Sequence, residues 1–342
     1  MVPGFPSISG MTKRVGNDKQ EIIINQYIMK KLFTYLTVAM LCISAASCQK
    51  EGVVETGKGN VVFTIETPGA ATKTIGDGEN VDIVYYEIYK AEDNHKNSVK
   101  GGEPLIKGDT KVIGKQAELT LNLLQDQDYV ALFWADVHGY GDQYYDVTDL
   151  RKVGVKYVTS ENKNAPANDE DRAAFCQCHP FNTHSKQTKA ERVELVRPFA
   201  QINLGTTKKS LHIDYPITLQ QSKMFIDGVA NVFNVYKMEA TRDVTNVDYQ
   251  FNNVPKQYLT VGTTEYAYAG MNYILVPANQ SNVKLTYDIM TDVGTVNRTV
   301  VDVPVKMNYR TNLLGNLLTQ ETKIEIVVDD KFIGDENVTI PN

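Results

Sequence analysis

The chain has 342 residues, with 35 Lys and Arg against 41 Asp and Glu, a formal net charge of −6. An acidic chain without a basic stripe lacks the cations that replace counterions on nucleic acid or on anionic headgroups, so no nucleic-acid partner is expected. Its four cysteines do not make a disulfide framework: Cys42 and Cys48 fall in or at the end of an export signal, and Cys176 and Cys178 stand too close for an unstrained bridge.

Residues 1–28 are rich in polar, Gly and Pro residues and read as an upstream extension that is not structured. Residues 29–47 read as a lipoprotein signal peptide. Met29-Lys30-Lys31 is followed by an uncharged run from Leu32 to Ser47 that stops at Cys48. That run is about 16 residues long, short of the roughly 20 that a membrane-spanning helix needs, so cleavage is expected over anchoring by a helix. Ala45-Ala46-Ser47 places small residues where a signal peptidase requires them, and the segment resembles a lipobox with Cys48 as the lipidated residue. A lipoprotein carries two or three acyl chains, enough for stable attachment to the outer membrane. Residues 48–58 form a tether, in which Lys50 and Glu51 resemble signals for display on the outer face of that membrane.

From Asn60 onward the dominant period is two. Val61, Phe63 and Ile65 alternate with Val62, Thr64 and Glu66, and Ala117, Leu119, Leu121 and Leu123 alternate with Glu118, Thr120 and Asn122. Both segments predict strands with one buried face. Continuous apolar runs at Val81–Tyr89 and Tyr129–Ala135 predict central strands covered on both sides. Between His138 and Glu191 the rhythm breaks into a long decorated loop. Within it only Val153–Val158 looks strand-like, and Asn168-Asp169-Glu170-Asp171 reads as the cap and acidic first turn of one short helix before Ala173-Ala174-Phe175. Proline donates no ladder hydrogen bond, so the strand at Arg197-Pro198 should be an edge or carry a bulge.

The polar stretch Gly205–Lys209 is the expected domain division, giving an N-terminal β-sandwich over 59–207 and a C-terminal one over 208–342. Alternation returns at Val283, Leu285, Tyr287 and Ile289, and in the terminal strand at Ile324, Ile326 and Val328. Many short strands with little helix predict an all-β chain of two antiparallel sandwiches in tandem.

Sites of chemistry are scarce. No His-Glu-x-x-His, no Gly-x-Ser-x-Gly elbow, no complete phosphate-binding loop and no EF-hand loop occurs, and neither an enzyme activity nor a cofactor is expected. Cys176, Cys178, His179 and His184 gather soft ligands within nine residues, but the single-residue spacing of the thiols does not suit zinc, and no metal site is expected. Oxygens at Asn168–Asp171 also suit calcium, although a helix start accounts for them better. Tyr140, Tyr144 and Tyr145 beside Trp134 and His138 offer a sugar-stacking platform, with burial in the sheet core as the plainer reading.

Several blocks, in order, resemble the fimbrillin-like proteins of the type V pilin superfamily. They are Thr72-Lys73-Thr74-Ile75-Gly76-Asp77-Gly78, Arg197-Pro198-Phe199-Ala200-Gln201-Ile202-Asn203, Tyr273-Ile274-Leu275-Val276-Pro277, and Tyr309-Arg310-Thr311-Asn312 with Asn316-Leu317-Leu318-Thr319. Leu132-Phe133-Trp134-Ala135 and Asn168-Asp169-Glu170 add to the match.

The resemblance implies two transthyretin-like sandwiches and a surface lipoprotein that is a structural or adhesive subunit of fimbriae. Its partners would be like or related subunits and a host or bacterial surface ligand. It also implies assembly by strand donation, in which a terminal strand of one subunit fills a groove in the next. Val61–Ile65 then supplies the removable strand, and Ile324, Ile326 and Val328 the donor side chains. Lys73 stands where stalk pilins are cut. No arginine lies between Cys48 and Asp149, so a cut there would fall at a lysine, and an anchor, tip or accessory role gains weight. The alternative is a glycan-binding surface lipoprotein of an outer-membrane uptake system, built on the tyrosine-rich loop.

Overall fold

Strand-forming segments dominate the computed structural model, which describes residues 58–68, 78–92, 95–99, 102–137, 144–157, 165–185, 187–207, 217–318, 324–329 and 337–339. All of these belong to one compact unit, Thr56–Asn342. Its first half holds β1 (Lys58–Glu66), β2 (Ile83–Glu92), β3 (His95–Val99), β4 (Ile106–Lys111), β5 (Gln116–Leu124), β6 (Asp128–Asp136), β7 (Tyr145–Asp146), β8 (Val153–Val155), β9 (Phe175–Asn182), β10 (Lys189–Glu194) and β11 (Phe199–Thr207). The second half holds β12 (Leu219–Ala230), β13 (Val232–Asn234), β14 (Glu239–Ala240), β15 (Val244–Asn253), β16 (Tyr258–Val261), β17 (Thr264–Leu275), β18 (Gln280–Thr291), β19 (Gly294–Lys306), β20 (Arg310–Gly315), β21 (Glu325–Asp329) and β22 (Asn337–Thr339). The expected all-β sandwich architecture is met.

Layers around two cores follow from the side-chain alternation. A three-stranded sheet, β10-β1-β5, faces a five-stranded sheet in which β3-β2-β6-β9 run side by side and β4 also pairs with β2. Between them lies a core of Val61, Phe63 and Ile65 from β1, Leu119 and Leu121 from β5, and Val84, Ile88, Ala131 and Phe133 from β2 and β6. The opposite face of the five-stranded sheet, carrying Tyr89, Val130, Leu132 and Trp134, joins a second, larger core with the strands that follow. Alternate residues of β6 thus enter different cores, and every residue from Val130 to Asp136 is buried. The continuous apolar run read in the sequence has that double burial as its cause.

Besides a small four-stranded sheet, β14-β13-β8-β7, a ten-stranded sheet runs β19-β18-β12-β17-β11-β20-β21-β22, with β15 on β12 and β16 on β17. The backbone of β12 pairs with β17 at a single position, Ala230 with Leu275, so these strands separate into two groups that enclose apolar side chains. Gly270 permits their close approach: a Cβ there would lie 2.7 Å from Met224 Cε and 3.2 Å from Leu204 Cδ1. Among the named strands of the described residues two pairings are parallel, β1 with β10 and β11 with β20, and each places a strand between one parallel and one antiparallel neighbour.

Three sequence expectations change in detail. Pro198 marks neither an edge nor a bulge: it precedes β11, which begins at Phe199 and is flanked by β17 and β20, so the missing N–H falls outside the ladder. The short helix is a single 3-10 turn, Glu170–Arg172, whose Asp169 side chain accepts the Asp171 N–H at 3.1 Å, and Phe175 already opens β9. The strand-like Val153–Val158 shortens to Val153–Val155. β11 precedes the expected division near residue 208 and is hydrogen-bonded on both sides to strands that follow it.

Candidate functional site

β1 is a nine-residue strand whose alternate side chains Val61, Phe63 and Ile65 are wholly buried. Each contributes roughly 1.5–3 kcal/mol through removal of apolar surface from water. It is antiparallel to β5, from Lys58 opposite Leu124 to Glu66 opposite Gln116, and parallel to β10, from Val61 beside Lys189 to Glu66 beside Glu194. Phe63 is the anchor: its ring meets Phe181 at 5.0 Å, Phe133 at 5.6 Å and His179 at 6.1 Å, all edge to face. Proline at 68 cannot extend the ladder, and the strand stops two residues before it. Glu66 at that end accepts from Arg192 Nη2 at 2.6 Å and Nε at 3.0 Å, and from Gln116 Nε2 at 3.1 Å. Arg192 is exposed, so this pair contributes little stability.

Loss of β1 would therefore expose two strand edges, those of β5 and β10, above an apolar floor that includes Phe133 and Phe181. That is the geometry of a slot for one extended segment with apolar residues at every second position. Cys48 and Lys73, expected as lipidation and processing residues, lie outside the described residues.

The terminal strand β21 pairs antiparallel with β20, from Arg310 opposite Asp329 to Leu314 opposite Glu325, and β22 pairs with β21 in turn. Ile324 and Ile326 pack partly buried against the larger core, Val328 is half-buried, and Val327 is the buried residue of the strand at 2% exposure. This arrangement holds the strand within its own chain.

The soft-ligand group is dispersed by the pleat. Cys176 and Cys178 share one face of β9, against the larger core. Burial pushes the Cys178 thiol up to about 11 and the Cys176 thiol well above its ordinary value. His179 points to the opposite face, 3.2 Å from Glu191, while His184 lies beyond the strand between Asp126 and Asp128. Among the described residues no three His, Cys, Asp or Glu side chains gather as a metal site.

The tyrosine platform is also internal. Tyr144 is 5% exposed, Tyr145 3% and Trp134 0%. Tyr144 donates to Asp169 at 2.6 Å, Tyr145 donates to the Arg172 carbonyl, and the indole N–H donates to Asp136 at 3.1 Å. Burial is what satisfies these polar tips within the fold, and it withdraws the three rings from any sugar; Tyr140 and His138 lie outside the described residues.

Sequence reasoning missed the buried charges around this loop. Glu87, 1% exposed, accepts from Tyr89 Oη at 2.7 Å, Lys107 Nζ at 3.0 Å and the Leu150 N–H at 3.1 Å. It ties the five-stranded sheet to the loop that follows. Arg197, 1% exposed, stacks 4.3 Å over Phe175 and 5.4 Å from the Tyr273 ring. Apart from Tyr89, two residues from Glu87, their partners are 20 or more residues away in the chain, so local spacing carries no sign of them.

A central strand wedged between a parallel and an antiparallel neighbour, on layers with two cores, defines the class as an all-β sandwich protein. The chain belongs to a family of unknown function, DUF6562, whose profile matches residues 53–341. No curated protein matches it. Among solved structures it is similar to a candidate adhesin from Bacteroides thetaiotaomicron VPI-5482, at 11% identity and a TM-score of 0.49 over 82% of this chain and 98% of that one. A candidate cell adhesion protein from Bacteroides ovatus ATCC 8483 matches at 9% identity and a TM-score of 0.48 over 82% and 100%. A fimbrial assembly protein from Parabacteroides distasonis ATCC 8503 matches at 12% identity and a TM-score of 0.42 over 83% and 100%.

Proposed function

We propose that this protein is an exported outer-membrane lipoprotein, displayed at the cell surface through Cys48, that serves as a structural or adhesive subunit of fimbriae and joins like or related subunits by strand donation. The observation that carries this reading is the position of β1, central in its sheet with Val61, Phe63 and Ile65 wholly buried. A strand so placed leaves a complete slot when it goes. The ordered sequence blocks that resemble fimbrillin-like proteins support the same reading. Lys73 follows β1 in the chain, so a cut there would separate the strand from the rest of the subunit. The terminal segment with Ile324, Ile326 and Val328 then supplies a strand to the neighbour. Without the cut, the chain keeps β1 and its lipid and acts as an anchor or accessory subunit. Its contact with the outside would be a host or bacterial surface ligand.

The test is mass spectrometry of the N-terminus in appendages sheared from native cells and in the membranes left behind. Acylated Cys48 confined to membranes identifies an uncleaved anchor or accessory lipoprotein. A new terminus just after Lys73 in the sheared fraction identifies a processed pilin, whose assembly Ile326→Asp should then abolish while the monomer still folds. An unprocessed chain found inside the cell would overturn the proposal.

A further inference from the structure

The β5–β6 turn and the segment after β9 interlock beneath the leading end of β1. The Asp126 N–H donates to the Thr183 carbonyl at 3.0 Å and the Thr183 N–H donates to the Gln127 carbonyl at 2.9 Å. Thr183 Oγ1 donates to the Leu124 carbonyl at 2.6 Å and accepts the Gln127 N–H at 3.2 Å. Thr183 is 2% exposed, and β1 lies directly on it: a Cβ added to Gly59 would fall 2.8 Å from Thr183 Cβ and 3.7 Å from Gln125 Cγ.

One residue further on, His184 holds this interlock from outside. Its Nδ1 is 2.7 Å from Asp126 Oδ1 and its Nε2 is 3.2 Å from Asp128 Oδ1. Ionised carboxylates only accept, and a neutral imidazole has one N–H, so both bonds exist together only with the imidazolium. Asp126 adopts φ +57°, a left-handed conformation that Asp tolerates better than most residues but that still costs energy, so the turn has a reason to need an external hold.

We propose that His184 is a pH-sensitive staple: protonated, it clamps the β5–β6 turn to the segment after β9 and secures the leading end of β1, and on losing its proton it loosens that end. The charged groups acting on the ring are Asp126 from the turn and Asp128 from β6; the bond to Asp126 first, then that to Asp128, raises its affinity for the proton. The stabilisation is therefore complete below the ordinary histidine range and is lost as pH rises through the raised value. For β1, deprotonation means easier fraying at the end opposite Glu66. The further consequence, that strand release is favoured at higher pH, rests on the strand-donation reading above.

Amide hydrogen exchange by NMR on the full chain, from about pH 6 to about pH 8.5 and corrected for the intrinsic pH dependence, tests the staple. Protection of the Asp126 and Thr183 amides and of Gly59 to Val61 should fall roughly two- to fivefold, the scale of exposed ion pairs. The midpoint should coincide with the titration of the His184 ring proton. In His184→Gln and in the double variant Asp126→Asn with Asp128→Asn, protection should be flat across that range. Flat protection in the wild type, or a fall that persists in both variants, overturns the proposal. The measurement uses unassembled protein, so absence of fibres in the shearing experiment leaves its outcome untouched, and the reverse holds as well.

Discussion

Phe63 of β1 and Phe133 of β6 meet edge to face across the two sheets of the first core, with ring centroids 5.6 Å apart. One side chain thereby couples the N-terminal strand to the central strand of the next layer, and β6 passes the contact on to the larger core through Trp134. Truncating Phe63→Ala should cost about 3–5 kcal/mol, the range for a buried aromatic whose cavity does not collapse. The loss should appear in the midpoint of urea unfolding. A change below about 1 kcal/mol would mean that β1 does not seal this core.

Asp136 should make the stability of the fold depend on pH. It is 5% exposed, accepts the Trp134 indole N–H, and has Oδ1 without a hydrogen-bond partner. Burial first, and the charge of Asp82 to a lesser degree, push its pKa up to about 7, against the lowering effect of the indole bond. The folded chain then keeps a proton that the unfolded chain releases near the ordinary carboxylate value. Its contribution is fully present below that ordinary value and is lost as pH rises through about 7. Asp136→Asn should flatten this slope, worth roughly 2–4 kcal/mol, in urea midpoints measured across that range. An unchanged slope in the variant would assign the dependence to other groups.

Gly78 should not tolerate even alanine. Its φ is +71°, and a Cβ there would fall 2.4 Å from Phe175 Cε2, a ring that is itself wholly buried under Arg197. Left-handed strain and displacement of the ring together predict a loss of about 2–4 kcal/mol for Gly78→Ala. Thermal unfolding of the variant beside the wild type measures it. Gly114 also has φ near +61° but has nothing within 4 Å of its Cβ position, so Gly114→Ala should lose only the backbone term, about 1 kcal/mol.

The two thiols should react only when the fold opens. Cys176 is fully buried, and burial raises both thiols, Cys178 to about 11, so little thiolate exists at neutral pH. Labelling with a thiol reagent should be slow in the native protein and complete in urea. Rapid native labelling of Cys178 would show that the β9 face opens locally.

The paired predictions for Phe63 and Gly78 also separate what was legible in the chain from what was not. Period-two alternation named the buried residues of β1, β5 and β18, and the unbroken run at β6 announced burial on both faces, because inside and outside are local alternatives at every strand position. The lone proline of the Arg197-Pro198 block misled, since its cost depends on where the ladder begins, and the ladder begins one residue later.

Sequence alone determined that this is an all-β protein with alternating apolar strands from Val61 onward, that it is acidic, and that its thiols are too close for ready pairing. Those properties are set by side-chain type and spacing along a few residues. Tertiary structure decided that β1 is central and not an edge, that Tyr144, Tyr145 and Trp134 are interior, that the pleat separates His179 from the cysteines, and that His184 meets Asp126 and Asp128 across the fold. Each of these depends on which distant strands become neighbours, and backbone pairing settles that through contacts between residues dozens of positions apart, where no local pattern can record it.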